Sequence, residues 1–552
     1  MQYVIRKIAP FLPLALKRFL AESILHGKRS FGRLRAKRVD YEKSLRTTPV
    51  GKNVLIYTMV PWVHSHIEYT LGKIFQYHGY NVTHVICGGN LPICGMENKK
   101  TRRPPCSDCV GKAEKFPDAY GVTSIRLNEI VDIESYNSLL LNLDKKSIEE
   151  IYEFTHEGIP YGQLCLDNYS HYAHDRVELQ DMVDQKAKRV WVKGIVSQVT
   201  LHDAVNNLHR RKKHHLAIVS NGKSFAYTGI YQALRKNNVD TITWDETPNY
   251  YNSFIFKENE YANEVHIDDL FRNLAKQIGG VDYKAAVDRY FKAWFEEGHH
   301  TFKYYRSPVS DPHRIEEELG IRFSRFKKIV SLYANVTWDT AALGRNRGFS
   351  DMMDWIKTFV RSASHRDEIL LLIRSHPAED KVPFEFRTMT TVQQGLLREY
   401  GRLPENVRVI PGASEISSYA LCKISDVNSV YTSTLGLEIA LLGYKPYVAG
   451  LAHYGSKGFT GEILNRDEVP QLLQLTMHDT CLNVQQIDLA YKYAYAWLFL
   501  SQFRPSNLVR SRDKFLFEDY GALVSKGSEY YDLFTSIVNH QTYATPVLNT
   551  HE

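Results

Sequence analysis

The chain has 552 residues, too many for one ordinary hydrophobic core, so two or more domains are expected. Hydrophobic residues make up 43% and charged residues 24%, ordinary for a soluble globular protein. The net charge is +7, but residues 1–38 hold ten Lys and Arg against one acid, Glu22; that arm carries +9 and the rest −2, unlike a nucleic-acid-binding body.

The apolar opening, Ile8–Leu16, is broken by Pro10 and Pro13 and followed at once by Lys17-Arg18. It is too short to span a membrane and no small-residue cleavage site follows, so a cytoplasmic chain is expected. Leu14, Leu16, Phe19, Leu20 and Ile24 alternate with Lys17, Arg18 and Lys28. Residues 1–50 therefore read as a basic amphipathic arm. It either rests on the anionic inner-membrane surface or packs as a solvated helix on its own domain.

Val54–Val60 (VLIYTMV) reads as a buried parallel strand, 65–78 as a helix closed by Gly79, and Asn81–Cys87 as the next strand. Residues 147–158 and 176–214 read as helical. His215–Ser220 is a strand, 224–236 a helix, 241–244 a strand and 282–300 a helix. After a loop with Pro308 and Pro312 the alternation becomes cleaner. Strands are expected at 329–334, 369–373, 407–410, 427–432 and 446–449, with helices at 352–360, 391–400, 419–424 and 435–442. Helices fill the tail, including 489–503. The expected fold is α/β, with a Rossmann-like domain over 51–310, a second over 320–485 and C-terminal helices over 486–552.

Three loops at expected strand ends carry chemistry. Arg374-Ser375-His376-Pro377 follows the strand ILLLI, where a cation and an imidazole can hold phosphate oxygens. Ser433 and Thr434 precede a helix that they can cap; Gly436 would admit a ligand to the backbone, and Glu438 could accept ribose hydroxyls. Gly450–Thr460 is glycine-rich and offers Tyr454 and Lys457. The plain alternatives are a turn, a capping motif and a packed loop.

The order Tyr333-Ala-Asn335-Val-Thr-Trp338-Asp339, Arg374-x-His376-Pro377-x-Glu379, Ser433-x-x-Gly436-x-Glu438 and Gly450-x-x-x-Tyr454-x-x-Lys457-Gly458-Phe459-Thr460 resembles bacterial capsule polysaccharide biosynthesis proteins. That family includes transferases that add Kdo, an acidic sugar, to capsule lipid anchors. The match covers about residues 325–465. The resemblance implies a GT-B fold, two Rossmann-like domains facing a cleft. It places the donor nucleotide on the C-terminal domain, with Arg374 and His376 at its phosphate and Glu438 at its ribose, and the acceptor on the N-terminal domain.

Glycosyl transfer needs a base for the acceptor hydroxyl and fixed donors for the leaving phosphate. The chain has no Asp-x-Asp, so metal-independent, inverting transfer without a cofactor is expected. His64, His66 and Glu68 follow the first strand, and His66 and Glu68 are the catalytic candidates. Asp167, Asn221 and Glu246 are further cleft candidates. Cys87, Cys94, Cys106 and Cys109 are either reduced thiols or a structural zinc site. The basic block His209–His215 complements a helix end or guides an anionic glycan.

The expected partners are a nucleotide-sugar donor and a glycan or lipid-linked glycan acceptor, with no nucleic acid. The alternatives are a nucleotide-sugar 2-epimerase, a polyol-phosphate transferase and a non-catalytic capsule-assembly scaffold.

Overall fold

A computed structural model describes residues 49–59, 65–89, 91–94, 122–247, 253–277, 281–296, 308–339, 342–503 and 526–541, with single positions between 106 and 117. The basic arm, with its membrane reading, and His64 lie outside the described residues. No described helix is long and apolar enough to cross a membrane.

The first unit begins with β1 (Asn53–Thr58), buried along its whole length, as a strand covered on both faces must be. α1 (Ser65–Tyr77), β2 (Asn81–Ile86) and β3 (Ser124–Arg126) follow, then α2 (Tyr161–Ala173) and the long α3 (Gln185–Arg211). β4 (Leu216–Ser220), α4 (Thr228–Lys236), β5 (Asp240–Glu246) and β6 (Phe254–Glu258) complete it. The strand order is β3-β2-β1-β4-β5-β6, parallel except for β6.

The second unit alternates as the sequence pattern predicts. It runs β7 (Lys328–Tyr333), α5 (Met352–Ala363), β8 (Ile369–Arg374), α6 (Val392–Tyr400), β9 (Val407–Ile410) and α7 (Ser418–Ile424). β10 (Val427–Val430), α8 (Leu435–Leu441), β11 (Pro446–Val448) and β12 (Gly461–Glu462) follow. The order is β12-β11-β10-β7-β8-β9. Counted from β7, this is the order of the first sheet read from the other edge. Both sheets are therefore Rossmann sheets, with switch points at β1/β4 and β7/β10. The expected two-Rossmann α/β plan is present.

Buried contacts cross both expected domain boundaries. Ile267, with Leu274, Val287 and Tyr290 from the helices Asp268–Gln277 and Tyr283–Glu296, packs in the second unit's core with α9 (Val484–Tyr495). The tail returns to the first unit. Phe254 and Phe503 exchange backbone hydrogen bonds of 2.8 and 2.7 Å, and α10 (Glu529–Val538) buries Tyr530, Leu533 and Phe534 against α1.

Local corrections have local causes. The helix expected over 147–158 stops at Tyr152, because the chain turns back at Glu157-Gly158, both in left-handed backbone conformations. The helix expected from 176 starts at Gln185, where the Asp184 carboxylate accepts from the Lys186 and Ala187 amides. Arg210–Lys213 are exposed at its end, as a solvated basic block should be.

Candidate active-site cleft

A cavity of about 840 Å³ opens between the two units. From the first unit it is lined by Asp167, Asn168 and His171 on α2, by Asn221 and Lys223 after β4, and by Asp245 at the end of β5. From the second it is lined by Arg345 and Arg347 after β7 and by Gly450–His453 and Gly455–Lys457 after β11. Apart from the residues on α2, these lie beyond the carboxyl ends of parallel strands, where the sheets leave loops free to meet a ligand.

The walls carry paired charge. Lys457 Nζ lies 2.5 Å from Asp268 Oδ1, and Lys223 Nζ lies 3.6 Å from Glu264 Oε1 and 4.5 Å from the centre of the Tyr261 ring. Burial lowers the pKa of Lys223, partly offset by Glu264. Arg345 donates to the Asn263 carbonyl at 3.2 Å. Asn221 Nδ2 donates to Asp245 Oδ2 at 2.6 Å. Asp167 opens onto the cavity, but the protein around it raises its pKa, with Lys223 opposing. A carboxylate on the cavity wall can accept a proton from a hydroxyl bound there.

Further contacts join the two units outside the cavity lining. Arg176 pairs with Asp351, the Met389 amide donates to the His174 carbonyl at 2.8 Å, and Thr390 Oγ1 donates to Asp175 Oδ2 at 2.9 Å. The His174 ring stacks on Trp338 at 4.4 Å.

The residues singled out from sequence divide into three groups. Lys457, Asp167 and Asn221 line the cavity; Glu246 does not. His376 and Glu438 lie outside its lining. His376 Nδ1 accepts from the Ala378 amide at 3.1 Å, and burial lowers its pKa to about 4. Asp339 acts electrostatically on both His376 and the cavity residue His171. Glu438 accepts from the Tyr419 hydroxyl, and burial raises its pKa to about 7.

The third group has packing roles. Arg374 is 2% exposed; its guanidinium donates to the carbonyls of Ile410, Pro411 and Ser414 rather than facing a phosphate, because a buried cation must be compensated. Tyr454 is fully buried and donates to the Ser433 carbonyl. A β-carbon at Gly436 would overlap that tyrosine, so this glycine makes room for a side chain rather than a ligand. Ser433 Oγ accepts from the Leu435 amide at 3.3 Å, whereas Thr434 makes no side-chain cap. Asn335 Oδ1 accepts from both the amide and the hydroxyl of Thr432, tying the loop after β7 to the end of β10.

The catalytic candidates near β1 fare differently. The His66 side chain lies outside the described residues. Glu68 is 1% exposed on the core face of α1, where Trp244 Nε1 donates to it at 3.1 Å. Burial raises its pKa to about 8, and it does not line the cavity. Cys87, Cys94, Cys106 and Cys109 are half-buried and form no disulfide. The Gly89 amide donates to Cys87 Sγ at 3.3 Å, and a β-carbon at Gly89 would stand 3.5 Å from Cys106 Cβ.

No family model and no curated protein sequence matches the chain. Solved structures do. KpsC of Thermosulfurimonas dismutans, a beta Kdo 2,7 transferase, is 15% identical over 55% of this chain and 83% of that chain, with a TM-score of 0.30. TcCGT1 in complex with UDP is 10% identical over 89% of this chain and 98% of that chain, at 0.27. The S. aureus MnaA–UDP co-structure is 10% identical over 81% and 97%, at 0.22. These are likenesses of fold alone; the strand orders themselves carry the fold assignment.

Proposed function

We propose that the chain is a glycosyltransferase that moves a sugar from a nucleotide-activated donor, bound in the cleft, to a glycan or lipid-linked glycan of a surface polysaccharide. One observation carries this reading. An 840 Å³ cavity between two Rossmann units is lined by Lys223, Arg345, Arg347 and Lys457 together with the carboxylate of Asp167. That volume suits a nucleotide-sized ligand.

In this reading Arg345 and Lys457 hold the donor phosphate and stabilise the charge that grows on it as it leaves. The acceptor oxygen attacks the anomeric carbon from the opposite face, so the configuration inverts. The bond from that carbon to the phosphate oxygen breaks as the new one forms, and the acceptor's proton passes to Asp167. Glu438 reaches the ribose once it is released from Tyr419, and His376 braces the phosphate side through Asp339. No metal takes part in the transfer. The basic arm would bring the enzyme to the inner-membrane surface, where lipid-linked acceptors reside.

The test is nucleotide release from CMP-, UDP-, GDP- and dTDP-sugars, with and without a surface-glycan acceptor. Acceptor-dependent release that vanishes in Asp167→Asn is expected. Formation of a free sugar epimer without acceptor would replace this reading with the epimerase alternative.

A further inference from the structure

Away from the cleft, two pairs of adjacent residues meet. His156-Glu157 sits in the hairpin turn before α2, and His202-Asp203 sits on α3. One ligand atom from each of the four lies within 4.8 Å of all the others. His156 Nε2 is 2.8 Å from Asp203 Oδ1, and His202 Nε2 is 3.2 Å from Glu157 Oε2. We propose that these side chains form a site for one divalent transition-metal ion of the zinc type.

The donor set fits that ion. Two imidazoles and two carboxylates suit zinc in tetrahedral geometry, with metal–ligand distances of about 2.0–2.2 Å. Tetrahedral ligands stand about 3.3–3.6 Å apart, so the 2.8 Å pair must open by roughly half an ångström or slightly more, the 3.2 Å pair by less, and any pair near the 4.8 Å limit must close by about 1 Å or more. The ion takes the place of the shared protons and balances the two carboxylate charges.

The surroundings orient the ligands as an outer shell does. The Tyr161 hydroxyl meets His202 Nδ1 at 2.8 Å, leaving Nε2 for the ion. Tyr136 donates to Asp203 Oδ2 at 2.6 Å, leaving Oδ1. Lys236 donates to the Glu157 carbonyl at 2.8 Å and to Oε2 at 2.6 Å, the oxygen that also meets His202, so the ion shares that oxygen with the ammonium or takes Oε1. The turn is also specified. Glu157 has φ +49°, a left-handed conformation that an ordinary residue adopts at a cost, and His156 and Ile159 close the hairpin with two 3.0 Å backbone hydrogen bonds. His202 is fully buried while Glu157 is 41% exposed, so the ion has an entry side.

None of the four lines the cleft, so the ion's role is to staple the turn to α3. α2 starts at Tyr161, immediately beyond that turn, and carries Asp167 and His171 to the cavity wall.

The test uses the full chain, loaded with Zn²⁺, dialysed without chelator and assayed for bound metal. The wild type should retain one equivalent more than the His156→Ala/Asp203→Ala double variant, with both showing the same far-ultraviolet circular dichroism. Equal metal content would overturn the proposal, since the ion would then sit elsewhere. If the double variant does not fold, Co²⁺ titration of the wild type decides. Visible bands of a tetrahedral nitrogen–oxygen site support the assignment; a spectrum showing only thiolate-to-cobalt charge transfer places the ion at the cysteines and overturns it.

Discussion

Gly436 and Tyr454 interlock: the tyrosine hydroxyl and ring edge fill the space that a β-carbon on residue 436 would need, and the same hydroxyl donates to the Ser433 carbonyl. Gly436→Ala must push this fully buried ring aside. Overpacking of this kind costs about 1–3 kcal/mol. Tyr454→Phe should cost about 1 kcal/mol through the lost hydrogen bond. Urea unfolding measures both. A neutral Gly436→Ala would show that the glycine is there for something other than the tyrosine.

Asp167 opens onto the cavity with a pKa raised by the protein around it. As a base it works only when ionised. The acid limb of kcat/KM should therefore lie above the ordinary aspartate value of about 3.9. Asp167→Asn should lower kcat at least about a hundredfold and leave KM within a few-fold. Steady-state kinetics across pH checks this; unchanged turnover in the variant would remove Asp167 from the mechanism.

The Glu438 carboxyl titrates at about 7 because burial outweighs its hydrogen bond from Tyr419. Only the carboxylate accepts two ribose hydroxyls. Nucleotide affinity should therefore rise as pH climbs through 7, and the rise should be absent in Glu438→Gln. Calorimetric titrations at pH 6 and pH 8 provide the comparison. Equal pH dependence in both proteins would separate Glu438 from the nucleotide.

Glu68 tests the first unit's core. Its folded pKa of about 8 stands above the ordinary glutamate value of about 4.3. A group raised in this way favours the folded state while protonated; its contribution is complete below about pH 4.3 and lost as pH rises through 8. Glu68→Gln should flatten that loss, leaving a smaller fall in Tm between pH 5 and 9 than in the wild type. Glu379, also raised to about 8 by burial, keeps the remaining slope from vanishing. An unchanged slope in Glu68→Gln would show that its carboxyl is solvated.

The second Rossmann unit was legible because its strands are continuous apolar runs, such as Ile369–Ile373, set between helices with clear stripes. α2 was missed because it presents Asp167, Asn168 and His171 to the cavity, and its start at Pro160 has no side-chain cap. A helix that serves a polar cleft loses the pattern by which helices are recognised. The burial of Glu68 is readable from its place on a helical face with Ile67, Leu71, Ile74 and Phe75, all buried. Arg374 looked like a phosphate ligand from its place at a strand end. Whether an arginine faces a ligand or its own backbone depends on the next strand's loop, here 410–414. The metal cluster was invisible because its two halves are 45 residues apart and meet only when the hairpin folds onto α3.

The central claim is that an activated sugar's nucleotide sits in the cleft against Arg345 and Lys457. Thermal shift with CMP, UDP, GDP and dTDP tests it most directly. One nucleotide at a hundredfold excess over its Kd should stabilise the wild type by about 2.7 kcal/mol. Arg345→Ala and Lys457→Ala should each reduce its affinity about tenfold or more, while the remote Tyr136→Phe keeps the full shift. Identical shifts in all four proteins, or no shift with any nucleotide, would contradict the account.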